Sequence, residues 1–243
     1  MDLIKDCWTK NDFNEFNNYL LSLANMEKAI WTKRIYATQK QTLAIKIPIL
    51  RELAKKIAKG NLQAFLMLQP QEYIENDILS ALIINFIKDF DLQKVLINNL
   101  LINVDSWVCT DTIKPFVKRT DFNTVYNFSC VLIKSEKVFV RRFAFVLLLK
   151  FAKYEECTDK ILMLIDNCHN ENEYYVKMAI SWLICELIIY FPEKTIKFLN
   201  NYKNFNKNEN NIFILRKVVS KCNDSFRIKN ELKMSLKSLI KNI

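Results

Sequence analysis

The stretch Val138-Phe139-Val140-Arg141-Arg142-Phe143-Ala144-Phe145-Val146-Leu147-Leu148-Leu149-Lys150-Phe151 decides the fold. Its residues Val138, Phe139, Phe143, Val146, Leu147 and Phe151 recur at intervals of three and four, the repeat of one buried helix face. Ile78, Leu82, Ile83, Phe86 and Ile87 repeat the pattern upstream. Short polar breakers separate such stretches: Lys59-Gly60-Asn61, Gln69-Pro70-Gln71, Lys88 to Asp91, Asn103-Val104-Asp105, Thr120-Asp121, Asn167 to Asn172 and Phe191-Pro192-Glu193. Pro48, Pro70 and Pro192 fit helix starts, where the missing N–H is not needed. Pro115 falls inside a candidate helix and kinks or ends it. Asn200 to Asn211, low in complexity, reads as a loop ahead of basic C-terminal helices at about 209–243.

The pattern predicts about twelve to fourteen helices of roughly 9 to 20 residues. Strong helix signals begin near 47, 71, 105, 137 and 171, the last four about 32 to 35 residues apart. That interval suits one helix–turn–helix unit of a HEAT-like array. The expectation is therefore an all-α protein, an α-α superhelix forming one HEAT-like domain over residues 1–243. Paired helices stacked in a right-handed curve would present a concave face to a long rigid ligand such as duplex DNA. An irregular helical bundle is the plainer alternative.

Composition narrows the function classes. Of 243 residues, 51% are apolar, so a sizeable core is available, while only 1 is Gly and 4 are Pro. A glycine-rich phosphate loop, a dinucleotide fingerprint and most tight-hairpin β folds each need several residues at positive φ, and so are excluded. The formal charge is +10, and the segment 194–243 carries most of it, with 12 basic residues against 3 acidic. Such a surplus points to a polyanion, either nucleic acid or an anionic membrane surface. The longest apolar runs, such as Phe143 to Leu149, fall far short of the roughly 20 residues that cross a bilayer. The first residues carry Asp2 and Asp6 and lack the apolar core of a secretory signal. The seven cysteines (Cys7, Cys109, Cys130, Cys157, Cys168, Cys185, Cys222) are odd in number and lack a C-x-x-C pair, and His169 is the single histidine. They read as reduced thiols of a cytoplasmic protein without a metal site.

Three local patterns bear on chemistry. In Val104-Asp105-Ser106-Trp107-Val108-Cys109-Thr110-Asp111, Asp105 fits an N-cap, and Trp107 and Asp111 lie four apart on one helix face. A carboxylate beside an indole suits a cation. A core tryptophan and an aspartate in a structural ion pair account for the spacing as well. Arg141 and Arg142 stand inside an apolar helix and must point at an acidic side chain or a phosphate, because a guanidinium keeps its charge. Tyr174-Tyr175-Val176-Lys177-Met178-Ala179-Ile180-Ser181-Trp182 sets Tyr175, Met178 and Trp182 at helical spacing, a stripe that also suits a plain core.

Taken in this order, the three patterns resemble those of the AlkD-like family, the HEAT-repeat glycosylases of the DNA alkylation repair superfamily. Its members share a segment like Leu43-Ala44-Ile45-Lys46-Ile47-Pro48-Ile49-Leu50-Arg51, a W-x-x-x-D helix matched by Trp107 and Asp111, an arginine followed by apolar residues matched by Arg142, and a K-x-A-x-x-W helix matched by Lys177 to Trp182. A Phe-Pro-Glu-Lys turn follows at 191–194. The likeness covers about residues 30 to 200. Ala44 replaces a usual glycine, Lys46 occupies a polar position, and Ile184 and Cys185 stand where relatives often carry charge.

The resemblance implies excision of N-alkylated purines such as N3-methyladenine and N7-methylguanine by hydrolysis of the N-glycosidic bond. It implies catalytic roles for Asp111, Trp107 and Trp182, DNA contacts at Arg142, Arg141, Lys46 and Lys177, alkylated double-stranded DNA as partner, a monomer, and no metal, cofactor or membrane. The rival expectation is a non-catalytic HEAT-like module that binds DNA or protein.

Overall fold

The computed structural model describes residues 1–68, 72–205 and 208–240. The breaker Gln69-Pro70-Gln71, and with it the helix start expected at Pro70, lies outside the described residues. The chain divides into two compact units, residues 1–117 and 118–243. Fourteen α-helices and two short 3-10 turns make up the regular structure of the described residues, with no strand and a single isolated bridge between Gln41 and Tyr73. None of these helices is long and apolar enough to cross a membrane.

The first unit holds α1 (Lys10–Ser22), α2 (Met26–Tyr36), α3 (Ile47–Ile57), α4 (Leu62–Met67), α5 (Ile74–Ile84), α6 (Phe90–Leu101) and α7 (Trp107–Thr112). Thr9 and Asp12 close a capping box at the start of α1, satisfying backbone donors that the first turn leaves open. Trp8, Phe13, Phe16 and Phe65 form an edge-to-face cluster under α1 and α4, with ring centroids as close as 4.9 Å for Trp8 and Phe65. All eleven residues of α5 are buried, because α3, α6 and α7 all pack on it. A helix enclosed in this way must satisfy its own polar side chains. Asn76 accepts from the Tyr73 N–H at 2.9 Å and donates to Asn17 at 3.1 Å, and Asp77 pairs with Lys40.

The second unit holds α8 (Phe122–Leu132), α9 (Val138–Leu148), α10 (Glu155–Asp166), α11 (Tyr174–Tyr190), α12 (Pro192–Phe205), α13 (Glu209–Asp224) and α14 (Asn230–Ser238). Here α9 packs on α11 and α11 on α13, while α8, α10 and α12 line up as a second layer. Phe143, Phe145, Leu148, Ile180, Leu183, Ile184, Ile214 and Val218 fill the space between layers with essentially no exposure. Helices α5, α7, α9, α11 and α13 start at Ile74, Trp107, Val138, Tyr174 and Glu209, 31 to 36 residues apart, which is the interval the sequence periodicity predicted.

Three local expectations are corrected. Asp105 does not cap α7: Ser106 does, accepting from the Val108 N–H at 3.3 Å, because Asp105 is taken by Thr38 and Gln39. The stretch Asn200 to Asn211, expected as a loop, is helical over 200–205 and 209–211, where α12 runs to Phe205 and α13 begins at Glu209, while residues 206 and 207 lie outside the described residues. Buried Tyr202 donates to Asn211 at 2.7 Å, and that anchored pair outweighs the weak helix preference of the asparagines. Helices α4 and α7 have six residues each, shorter than any expected. In α7 the cause is Asn85, whose amide donates to the Thr112 carbonyl at 2.9 Å and accepts from the Lys114 N–H at 2.6 Å, satisfying the helix end ahead of Pro115.

Candidate functional site

Helix α7 carries both Trp107 and Asp111, and its first turn is fastened to the end of α2. The Trp107 indole N–H donates to the Ile35 carbonyl at 2.7 Å, and the Ser106 hydroxyl donates to the Tyr36 carbonyl at 2.5 Å. These are carbonyls of the last turn of α2, which that helix cannot satisfy itself. The Tyr36 ring meets the Trp107 indole edge-on at 6.3 Å. Ala37 then turns the chain at φ 54°, and the Asp105 carboxylate receives the Thr38 hydroxyl at 2.6 Å and the Gln39 N–H at 2.7 Å. Five interactions in five residues hold the indole half-buried in one place.

The chain after Ala37 is held by buried charge. Glu75 and Asp77 project from α5 with almost no exposure. The Glu75 carboxylate accepts from the Leu43 N–H at 3.1 Å and the Ile45 N–H at 3.4 Å. Between those donors Ala44 sits at φ 55°, the left-handed conformation that curls successive N–H groups around one anion. Burial raises the Glu75 carboxyl above its ordinary range, against the pull of these backbone donors. Burial also pushes Asp77 up to about 7, opposed by the Lys40 ammonium beside it and aided by the charge of Asp105. The same burial raises the Cys109 thiol between them.

One turn beyond Trp107, Asp111 stands half-buried on the wall of a cleft of about 310 Å³. The Thr110 hydroxyl lies 3.2 Å from its carboxylate and 2.9 Å from the Trp107 carbonyl. Arg51 and Lys55, one turn apart on α3, line the same cleft together with Lys114. All three are exposed, and their charged ends make no ion pair or hydrogen bond among the described residues. The cleft thus combines two carboxylates, Asp111 and Glu52, with three cations open to an anionic ligand. Lys46 is exposed at the residue preceding α3.

In the second unit the arginine pair is engaged within the chain. Arg141 forms a two-pronged pair with Glu171 at 2.8 and 3.1 Å and donates to the Ser135 and Glu136 carbonyls, occupying four of the five donors of a guanidinium. Arg142 is buried and donates to the Tyr175 carbonyl at 2.6 Å, tying α9 to the first turn of α11. Lys177 donates to Asn210 at 2.9 Å and lies over the Phe213 ring at 4.7 Å, tying α11 to α13. Trp182 is half-buried on α11. Sequence reasoning thus placed Trp107 and Asp111 on one helix, as the structure has them, but missed Tyr36, Lys55, Asn85 and Lys114. Arg51 closes the segment Leu43 to Arg51 that carries part of the resemblance. Its spacing of four from Lys55 was the available signal.

The structure is thus a helical array with an indole and a carboxylate on one short helix, three unpaired cations around the carboxylate's cleft and a basic surplus overall. Residues 16–219 match the family model described as DNA alkylation repair enzyme, and the chain belongs to that family. Its role therefore lies in DNA alkylation repair, with DNA as substrate. Comparison with curated proteins gives no individual match.

Proposed function

We propose that this protein is a DNA glycosylase that hydrolyses the N-glycosidic bond of cationic N-alkylated purines such as N3-methyladenine and N7-methylguanine. The observation that carries the reading is the placing of Trp107 and Asp111 on one short helix, with Asp111 on the wall of a cleft that also holds three unpaired cations. Alkylation at N3 or N7 places a positive charge on the purine, so the base leaves without being protonated. What remains is to stabilise an oxocarbenium-like sugar and to orient water. A carboxylate held in place before the charge develops does both. The Trp107 indole offers its face and quadrupole to the sugar edge of the cationic nucleotide. Trp182 packs against the DNA in the same manner. Arg51, Lys55, Lys114 and Lys46 neutralise phosphates and set the register of the strand. Arg142, Arg141 and Lys177 serve this reading as tethers of α11, the helix that carries Trp182.

The test is release of alkylated purine from methylated duplex DNA by the wild type and by Asp111→Asn. The variant keeps the shape and removes the charge. The rate should fall about ten- to a thousand-fold, the cost of roughly 1.4–4 kcal/mol of transition-state stabilisation, while affinity for the duplex is unchanged. Equal rates for the two proteins, or no release by the wild type, would replace this reading with a non-catalytic DNA-binding module.

A further inference from the structure

We propose that Cys185 and Cys222 form an oxidative modification site, closing to a disulfide between α11 and α13 when the protein meets a peroxide. Their sulfurs lie 3.5 Å apart, with the Cys222 thiol donating to Cys185. A disulfide needs about 2.05 Å, so the pair must close by roughly 1.5 Å. Both side chains are buried on helices that already pack against each other.

The two thiols are not equivalent. The hydrogen bond from Cys222 lowers the Cys185 thiol against its burial, with Lys221 and Arg227 adding to the effect. The same bond and burial raise Cys222. Cys185, which accepts that hydrogen bond and is 5% exposed where Cys222 is fully enclosed, is the sulfur a peroxide reaches first and so the attacking one. Its thiolate attacks one oxygen of hydrogen peroxide and breaks the O–O bond. This gives the Cys185 sulfenic acid and a hydroxide, which takes up the proton that Cys185 released. The Cys222 sulfur then attacks the sulfenic sulfur. The S–O bond breaks, and the departing hydroxide takes the Cys222 proton as water. Two electrons pass from the sulfurs to the peroxide, and two waters form per disulfide. The crosslink encloses Glu186 to Lys221 and fastens the C-terminal half of the helix that bears Trp182.

The experiment treats the full-length reduced protein with hydrogen peroxide, alkylates it under denaturing conditions and maps its tryptic peptides. The expected product joins Met178–Lys194 to Cys222–Arg227 with the loss of two hydrogens, and dithiothreitol reverses it. The oxidised protein should unfold about 5 to 10 °C higher than the reduced one, since a loop of this length is closed in its unfolded state. Cys185→Ser and Cys222→Ala should each abolish both the linked peptide and the shift. Oxidised glutathione in place of peroxide separates the routes: a bridge formed only by the glutathione disulfide would overturn the peroxide assignment. Recovery of Cys185 and Cys222 as free thiols, as sulfinic or sulfonic acids, or crosslinked elsewhere, for example through Cys130 and Cys168, would overturn the site itself.

Discussion

The stretch from Ala37 to Lys46 and the stack of α9, α11 and α13 secure their surroundings by opposite means. The stack is apolar: Phe143, Ile180, Leu183, Ile214 and Val218 lock together by shape. The stretch is polar: Glu75, Asp77 and Asp105 grip backbone N–H groups, a threonine hydroxyl and a lysine, and two residues adopt left-handed backbone. Apolar packing is non-directional, so it supplies stability and tolerates small slips. Hydrogen bonds to buried carboxylates are directional and carry a desolvation cost that offsets much of their energy. A protein stabilises its bulk by the first means and spends the second where geometry must be fixed. The polar stretch lies beside Trp107 and ahead of Arg51, the residues on which the proposed chemistry depends.

The contrast predicts unequal losses. Phe143→Ala leaves a hole in the stack and should cost about 3–5 kcal/mol in urea denaturation. Glu75→Ala strands buried N–H groups of the polar stretch and should cost about 2–3 kcal/mol. The distinguishing result lies in function. Glu75→Ala should weaken DNA binding and base release at temperatures where the protein remains folded, because the approach to α3 is freed, whereas Phe143→Ala should act through stability alone. If the two variants lose activity only in proportion to stability, the division of labour is wrong.

A pH dependence separates the regions as well. Asp77 titrates near 7 in the folded chain against an ordinary value of 3.8. Below about pH 4 it is protonated whether the chain is folded or not. Between about 4 and 7 the unfolded chain gives up the proton while the folded chain keeps it, so this group's stabilisation is lost as pH rises through that window. Glu75, also raised, acts in the same direction. The relief that the Lys40 ammonium gives is already contained in the Asp77 value, and a rise of about three pH units sets an upper bound of about 4 kcal/mol on the change across the window. Urea midpoints of wild type and Asp77→Asn from pH 4 to 8 should differ by a curve that falls across the window and then levels. A flat difference would mean that water reaches Asp77.

How much of this was legible in the sequence follows from the same physics. The stack announces itself because burial on one helix face forces a period of 3.6, and the spacing of α7, α9 and α11 was readable from the helix signals near 105, 137 and 171. Trp107 and Asp111 were readable because spacing within one helix fixes their direction. The polar stretch was not, because its partners are 30 to 72 residues away in sequence, as with Glu75 and Ile45 or Trp107 and Ile35. Nothing local in Asp105 says that it will reach Gln39 and leave the cap to Ser106. The cleft was missed for the same reason: Arg51, Lys55 and Lys114 become one group only when α3 and the end of α7 both pack on α5.

The smallest effect concerns backbone alone. The scarcity of glycine argued against folds that need positive φ, yet two positions adopt it, Ala37 at 54° and Ala44 at 55°. The chain's one glycine serves a different end. A Cβ on Gly60 would lie 2.5 Å from the Lys5 carbonyl oxygen, so Gly60→Ala should destabilise. For an L-residue the left-handed region costs roughly 1–2 kcal/mol, and glycine recovers that energy at the expense of a more flexible unfolded chain. Ala44→Gly should therefore gain about 1 kcal/mol and raise the unfolding temperature by about 2–4 °C. It should leave base release unchanged, since Leu43 and Ile45 keep their hold on Glu75. Ala37→Gly, at the end of α2, should gain a similar amount. A neutral or destabilising Ala44→Gly would show that position 44 relaxes out of the left-handed conformation in solution. The N–H groups of Leu43 and Ile45 would then no longer converge on Glu75, and the stretch leading to α3 would lose the rigidity that the comparison with the stack assigns to it.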